Sequence, residues 1–346
     1  FLFEKKLLRN FKMLKNDKGL FFEMSDEMSA LIKLEEGIVT NEIGKKIVKE
    51  TISLENGKTC CMIYDGNGNI MIIIHHLFSD AITLKNILSA IDNLDENANF
   101  ESSLYAEYAW SQYGKYGSDN GDLSYIEERN KPYESDDVVM ISEEDYYETL
   151  VDISKEWRVS IESILLLQLY KSIGFLPKTV IEVERIGRDA SGKWDDICGW
   201  LSFSASFDLS CAENGEQHEM AERIGKAISG LTFEKDRLDG TESENALTWN
   251  YIGNIDVSAS FDSFNVKAFG QFNGKSTGRT TPIYFAVYFK EDKLCCDVNY
   301  DSLVYTKEQM KILQKTFLTN VHQLSESYNT KRTDELSSIL EVMRGI

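Results

Sequence analysis

The sequence predicts an α/β protein of two lobes, each a mixed sheet packed by helices. Three observations lead there. The chain has 346 residues, which suits about two domains of ordinary size. Strand-like runs with turn chemistry alternate with segments of helical period along its length. From Tyr113 to Asp137 the composition shifts to Gly, Ser, Asn, Asp, Glu and Lys with Pro132, which marks a crossover. The lobes are taken as 1–135 and 136–346.

The first clear element is a hairpin: Lys58–Tyr64, a turn Asp65-Gly66-Asn67-Gly68, then Asn69 to His76. Asp-Gly and Asn-Gly suit the turn because Gly and Asn tolerate positive φ. The second run, Ile70-Met71-Ile72-Ile73-Ile74, is apolar on successive residues, as in a strand covered on both faces. Leu84, Ile87, Leu88 and Ile91 then recur at i, i+3, i+4 and i+7, so a helix starts near Asp80. Past the crossover, helices are expected over Glu143–Glu156 and from Ser160, the latter with Ile161, Ile164, Leu165, Leu166, Leu167 and Leu169 on most of its faces. A strand Thr179–Glu184, helices Gln217–Ser229 and Thr306–Ser327, and a hairpin over Thr281–Tyr300 through Glu291-Asp292-Lys293 complete the order.

Composition excludes several classes. With 37 basic against 57 acidic side chains, a net charge of -20 and a pI near 4.7, nucleic acid and anionic membrane are poor partners. Aromatic content of 11% speaks against disorder, and the apolar runs are too short to span a bilayer. The opening Phe1-Leu2-Phe3-Glu4-Lys5-Lys6 does not read as a signal peptide, and without an initiator Met the chain reads as part of a longer polypeptide. Lys5, Lys6, Arg9, Lys12, Lys15 and Lys18 crowd the N-terminal stretch, either a basic patch that steers an acidic partner or a solvated basic helix face. Four of the six Cys form the pairs Cys60-Cys61 and Cys295-Cys296, whose side chains would point to opposite faces of a strand. With Cys198 and Cys211 isolated, they read as small buried hydrophobes in a reducing cytoplasm, not as disulfides or a zinc site.

Three clusters carry candidate chemistry. The first is His75-His76-Leu77-Phe78-Ser79-Asp80-Ala81: an imidazole at a strand end can act as a general base, and a nearby carboxylate can fix the loop. Adjacent strand residues face opposite ways and no third His or Cys stands at ligand spacing, so no metal is expected. The second is Glu184-Arg185-Ile186-Gly187-Arg188-Asp189 with Cys198-Gly199-Trp200-Leu201-Ser202, which alone also reads as a charged surface turn. The third, Trp249-Asn250-Tyr251-Ile252-Gly253-Asn254, offers an amide and a phenol as donors, and alone also reads as an aromatic strand ending at a turn.

Together and in this order, the clusters resemble the condensation and epimerization domain family of nonribosomal peptide synthetases, whose signature is His-His-x-x-x-Asp-Gly. Its epimerization branch carries Glu-Gly-His-Gly-Arg-Glu, Val-Gly-Trp-Phe-Thr and Phe-Asn-Tyr-Leu-Gly, and this chain is closest to that branch. The resemblance runs from about Leu8-Arg9 to the C-terminal helices. Ala81 stands for the motif Gly, Thr83-Leu84 for Ser-Trp, and Arg185-Ile186 for Gly-His.

The resemblance implies two chloramphenicol-acetyltransferase-like lobes in a V, N-terminally shortened because the family's opening strand and helix are absent. A tunnel would admit thioesters on the phosphopantetheine of a carrier protein, with adjacent synthetase domains as further partners and no cofactor bound directly. The implied activity is epimerization at Cα, with His76 and Glu184 as the acid/base pair and Asn250 and Tyr251 as donors to the enolate. His75 would matter through packing, and Asp80 and Arg188 would form a lobe-bridging ion pair. Amide-bond condensation and a non-catalytic docking module are the competing readings.

Overall fold

The computed structural model describes residues 10–16, 19–25, 30–34, 38–75, 78–92, 107–108, 134–174, 176, 180–188, 194, 197, 199, 201–231, 247–254 and 281–344. The chain divides into two compact units. The first holds the described residues up to Tyr108 together with Ile186–Ser202; the second holds the described residues of Asn130–Arg185, Phe203–Val257 and Ser276–Ile346. Ile186–Ser202, read from sequence as C-terminal lobe, thus clusters with the first unit.

In the first unit, β1 (Asn10–Asn16) pairs antiparallel with β2 (Gly19–Ser25). Lys12 and Lys15 therefore lie on a strand and not on a helix face, while Lys5, Lys6, Arg9 and Lys18 lie outside the described residues. A second sheet has the order β3 (Ala30–Lys33), β4 (Cys60–Tyr64), β5 (Ile70–Ile74), with β3 parallel and β5 antiparallel to β4. Helix α1 (Asn41–Thr51), capped by the Thr40 hydroxyl, precedes β4, and α2 (Ala81–Asp92) follows β5.

Both faces of β5 are covered, as its apolar run predicts. Met71 and Ile73 join Cys61, Ile63 and Val39, with Ile47 and Val48 of α1 against them; Ile72 and Ile74 join Cys60, Ile87 and Ala90. The paired cysteines thus serve opposite faces, and burial pushes the Cys61 thiol up to about 11, well away from thiolate chemistry.

The β4–β5 turn is built on Asp65. Its carboxylate accepts the side-chain amide of Asn69 at 2.9 Å and the backbone N–H groups of Val39, Asn67 and Asn69 at 3.1, 2.8 and 3.1 Å. These donors, the Asn69 amide foremost, outweigh partial burial and hold the carboxyl down at about 2.

The second unit contains β6 (Ser135–Asp145), α3 (Tyr147–Trp157), α4 (Ile161–Ser172), β7 (Val180–Ile186), β8 (Ser202–Asp208), α5 (Gln217–Ser229), β9 (Thr248–Asn254), β10 (Ile283–Lys290), β11 (Lys293–Asp301) and α6 (Lys307–Arg344). Its sheet has the order β6-β11-β10-β9-β7-β8, with β9 parallel to both β7 and β10. Glu291 and Asp292, at φ 51° and 60°, close the β10–β11 hairpin.

Two expectations need correction. The stretch from Glu143 is strand through Asp145, and helix starts only at Tyr147. β6 is an edge strand whose period is hidden because Val139 and Ile141 are apolar yet exposed; Val138 and Ser142 are its buried residues. Helix α6 runs on past Ser327 to Arg344, because helix-forming residues continue after burial has ended.

The core lies between this sheet and its helices. Ser160 caps α4 by accepting Ser163 N–H at 3.1 Å, and the helix then buries Ser163–Leu169 without interruption. Met310, Leu313, Phe317, Val321 and Leu324 form the inward stripe of α6, where Phe317 meets Trp249 and Phe285 edge-on. Gln314, fully buried on that stripe, donates to the carbonyls of Val138 and Cys296 at 2.8 and 2.9 Å, which ties α6 to two neighbouring strands.

Two outcomes follow. Gln314→Met keeps the volume but removes both donors, so the second unit should lose about 2 kcal/mol in denaturant unfolding. For Asp65, whose folded pKa is depressed, the contribution to stability is present above its unfolded value and is lost as pH falls through the folded one. Protection of the β4–β5 hairpin amides from hydrogen exchange should therefore drop between about pH 4 and pH 2. Asp65→Asn should remove that pH dependence.

Candidate functional site

In the first unit, Asp80 is the residue on which the other groups converge. At the start of α2 its Oδ1 accepts Thr83 N–H at 2.7 Å, a side-chain N-cap. Its two oxygens each lie 3.0 Å from Nη2 of Arg188, and Oδ2 also accepts Leu201 N–H at 3.3 Å. The Thr83 hydroxyl lies 2.8 Å from both Asp80 Oδ1 and the Gly199 carbonyl, and accepts Gly199 N–H at 2.9 Å. Arg188 Nη1 donates to the Trp194 carbonyl. The side chains of Arg188 and Asp80 are 2% and 9% exposed, so the charges meet in a nearly dry setting.

The loop is gripped at Gly187 as well. Gly187 N–H donates to the Leu201 carbonyl, and a Cβ at position 187 would run into that same oxygen. Trp194, Ile197 and Leu201 form a small apolar cluster with Tyr108, whose hydroxyl donates to the Gly187 carbonyl at 3.3 Å. Asp80 and Arg188 therefore pair, but both belong to the first unit, where a lobe-bridging pair was expected.

In the second unit, β7, β9 and β10 present alternate residues to a polar face. Tyr284 of β10 donates its phenol proton to Glu184 Oε2 of β7 at 3.2 Å and accepts from Asn250 Nδ2 of β9 at 2.6 Å. On the same face Thr248 donates to Glu182 Oε2 at 3.0 Å and is 2.6 Å from the Thr281 hydroxyl. Glu184 and Asn250 are thus joined through a phenol that sequence reading did not select. No local signal marks it; its place opposite Thr248 is visible only once the β9–β10 pairing is known.

Tyr251 faces the other way. As the neighbour of Asn250 on a strand, it packs against the core cluster, and burial, with Tyr147 and Glu162 nearby, raises its pKa. On that side Arg185 bonds Glu162 at 2.6 Å. After Tyr251 the register with β10 slips by one, and Gly253, at φ +88°, accommodates the bulge.

His75 follows β5: its N–H donates to the Thr59 carbonyl at 2.7 Å, its carbonyl accepts Phe78 N–H, and its ring sits 6.1 Å from that of Phe78. His76, Cys198 and the Tyr113–Pro132 part of the expected crossover lie outside the described residues. Among the described residues no group of three or more His, Cys, Asp or Glu is placed to hold a metal, and no helix is long and apolar enough to cross a membrane.

No model of a known protein family matches the sequence, and no curated protein matches it. Solved structures do match. The epimerization domain from the third module of tyrocidine synthetase B superposes with a TM-score of 0.67 at 14% identity, over 93% of this chain and 86% of its own. The condensation domain of the enacyloxin polyketide synthase, studied for chain release, gives 0.63 at 11%, over 91% and 71%. The first condensation domain of the CDA synthetase gives 0.57 at 15%, over 91% and 83%. The chain has the condensation-domain fold.

Removing one partner of the dry ion pair strands the other. Asp80→Ala or Arg188→Ala should cost the first unit about 3–5 kcal/mol, read as lost hydrogen-exchange protection in the first turn of α2. Arg188→Lys should not restore it, since one ammonium cannot serve both Asp80 and the Trp194 carbonyl with the same fork.

Proposed function

We propose that the chain is an epimerization domain of the condensation superfamily, acting on an aminoacyl or peptidyl thioester carried on the phosphopantetheine of a carrier protein in a cytoplasmic peptide synthetase. Support comes from the fold it has in common with the tyrocidine synthetase domain and from the ordered motifs at Asp80, Glu184, Arg188 and Asn250. The observation that carries the reading is the hydrogen-bonded line Glu184–Tyr284–Asn250, a carboxylate with an oriented acid–base environment on a sheet face.

Inversion at Cα needs one group to take a proton from one face and another to deliver one to the opposite face. In this reading His76 and Glu184 are those two groups. When the base takes the proton, the C–H electron pair enters the thioester enolate, whose oxygen needs fixed donors. Asn250 and Tyr251 are the candidates by motif, but Tyr251 is turned to the core and the Asn250 amide is directed at the Tyr284 phenol, so neither is assigned that role. Asp80 and Arg188 hold the loop and touch no substrate. No further cofactor is required, because the substrate arrives already activated as a thioester. The partners are the carrier and the adjacent synthetase domains.

Amide-bond condensation is the second reading, favoured by the condensation domains among the structural neighbours. A docking module that only recruits a partner is the third. A carrier protein charged with one L-aminoacyl group from a panel of small, aromatic, acidic and basic residues, incubated in deuterated water, separates them. Epimerization exchanges Cα hydrogen on a single carrier; condensation makes an amide and needs two charged carriers; a docking module does neither. His76→Ala and Glu184→Ala should each reduce inversion by about a hundredfold or more while leaving room for one-sided exchange. Full inversion by Glu184→Ala would overturn the assignment.

A further inference from the structure

We propose that Tyr284 is a positioning residue that acts through Glu184, and that Asn250 acts one step further back, through Tyr284. The inference rests on the epimerization reading for its catalytic consequence but on local geometry for its substance.

The phenol oxygen of Tyr284 meets an amide donor and a carboxylate acceptor. It accepts from the Asn250 amide at 2.6 Å and donates to Glu184 Oε2 at 3.2 Å. An amide N–H can only donate to that oxygen and an ionised carboxylate can only accept from it, so along this line the phenol proton is directed at the carboxylate. A donor aimed at Oε2 favours the ionised carboxylate and fixes its rotation, both of which a general base needs before it meets a Cα proton. Bonds in series polarise one another, so the Asn250 amide strengthens the phenol as a donor.

Packing holds the line in place. Tyr284 and Thr248 are opposite one another in the parallel β9–β10 register, and Ala286 stands opposite Asn250, so a small side chain leaves the amide room beside the ring. Glu182, the second carboxylate on this face of β7, is engaged by Thr248 at 3.0 Å. The two acids of β7 are therefore each given a hydroxyl donor, one aliphatic and one phenolic, and the phenol is backed by an amide.

This assignment redistributes roles. An amide Nδ2 committed at 2.6 Å to a phenol is a support for Glu184. Tyr251, one residue along and turned to the core, takes no part in the line.

The test compares wild type, Tyr284→Phe, Asn250→Ala and the double variant for Cα hydrogen exchange on a charged carrier protein, with the carboxyl pKa of Glu184 followed in each by carbon NMR against a Glu184→Gln blank. Tyr284→Phe should lower kcat about tenfold or more, leave KM within about twofold, and raise the Glu184 pKa by about 1. Asn250→Ala should lower kcat about threefold in the wild-type background and have no effect once Tyr284 is Phe. An unchanged Glu184 pKa in Tyr284→Phe, or an Asn250→Ala effect that persists in the Phe background, overturns the proposal. If the wild type exchanges no Cα hydrogen, the epimerization reading fails by itself, and the NMR titration still decides whether Tyr284 governs Glu184. If Tyr284→Phe does not fold, the Glu184 pKa in Asn250→Ala decides: a rise supports the line, and no rise overturns it.

Discussion

A guanidinium that is almost fully out of water must be answered, and the answer at Arg188 organises the first unit. Asp80 supplies both oxygens, the Trp194 carbonyl takes a second nitrogen, and Thr83 closes the gap between Asp80 and Gly199. Desolvating two charges costs several kcal/mol per ion, so such a pair contributes little net stability unless its remaining hydrogen bonds are filled. Here the Trp194 carbonyl takes Nη1 and Leu201 N–H serves Asp80 from the main chain, so the charges specify a conformation as much as they stabilise it. The same Asp80 caps α2, which means that the helix start, the loop and the ion pair are satisfied by one carboxylate.

A different economy governs the second unit. Its sheet keeps one face apolar, with Trp249, Phe285 and Phe317 in mutual contact, and gives the other to Glu182, Glu184, Thr248, Asn250 and Tyr284. A strand of period two can carry a core and a chemical surface simultaneously, and the core side fixes the positions of the polar side. Because β9 runs parallel to both β7 and β10, residues of one parity fall in a row across the three strands.

How much of this is legible in the sequence depends on distance along the chain. The β4–β5 hairpin, the covered faces of β5 and the start of α2 are local, and turn chemistry with hydrophobic period finds them. The first strands and α1 carry only short apolar signals, and β6 shows no period because Val139 and Ile141 are apolar on its exposed side. Asp80 and Arg188 are 108 positions apart, and only the motif resemblance joined them. The opposed faces of Asn250 and Tyr251 were available from the same adjacency that separates Cys60 from Cys61. Tyr284 was not: in Ile283-Tyr284-Phe285-Ala286-Val287-Tyr288-Phe289 aromatic residues occupy both parities, and nothing local singles out one phenol.

The contact at Gly187 shapes which sequences this fold can explore. Its missing side chain lets one stretch of backbone touch another, and the Leu201 that accepts its N–H also donates to Asp80. A methyl group there would displace Leu201 and, through it, the carboxylate beside Arg188. Glycine at 187 and arginine at 188 are thus tied together by geometry, since a side chain at the first is felt at the second through Leu201 and Asp80.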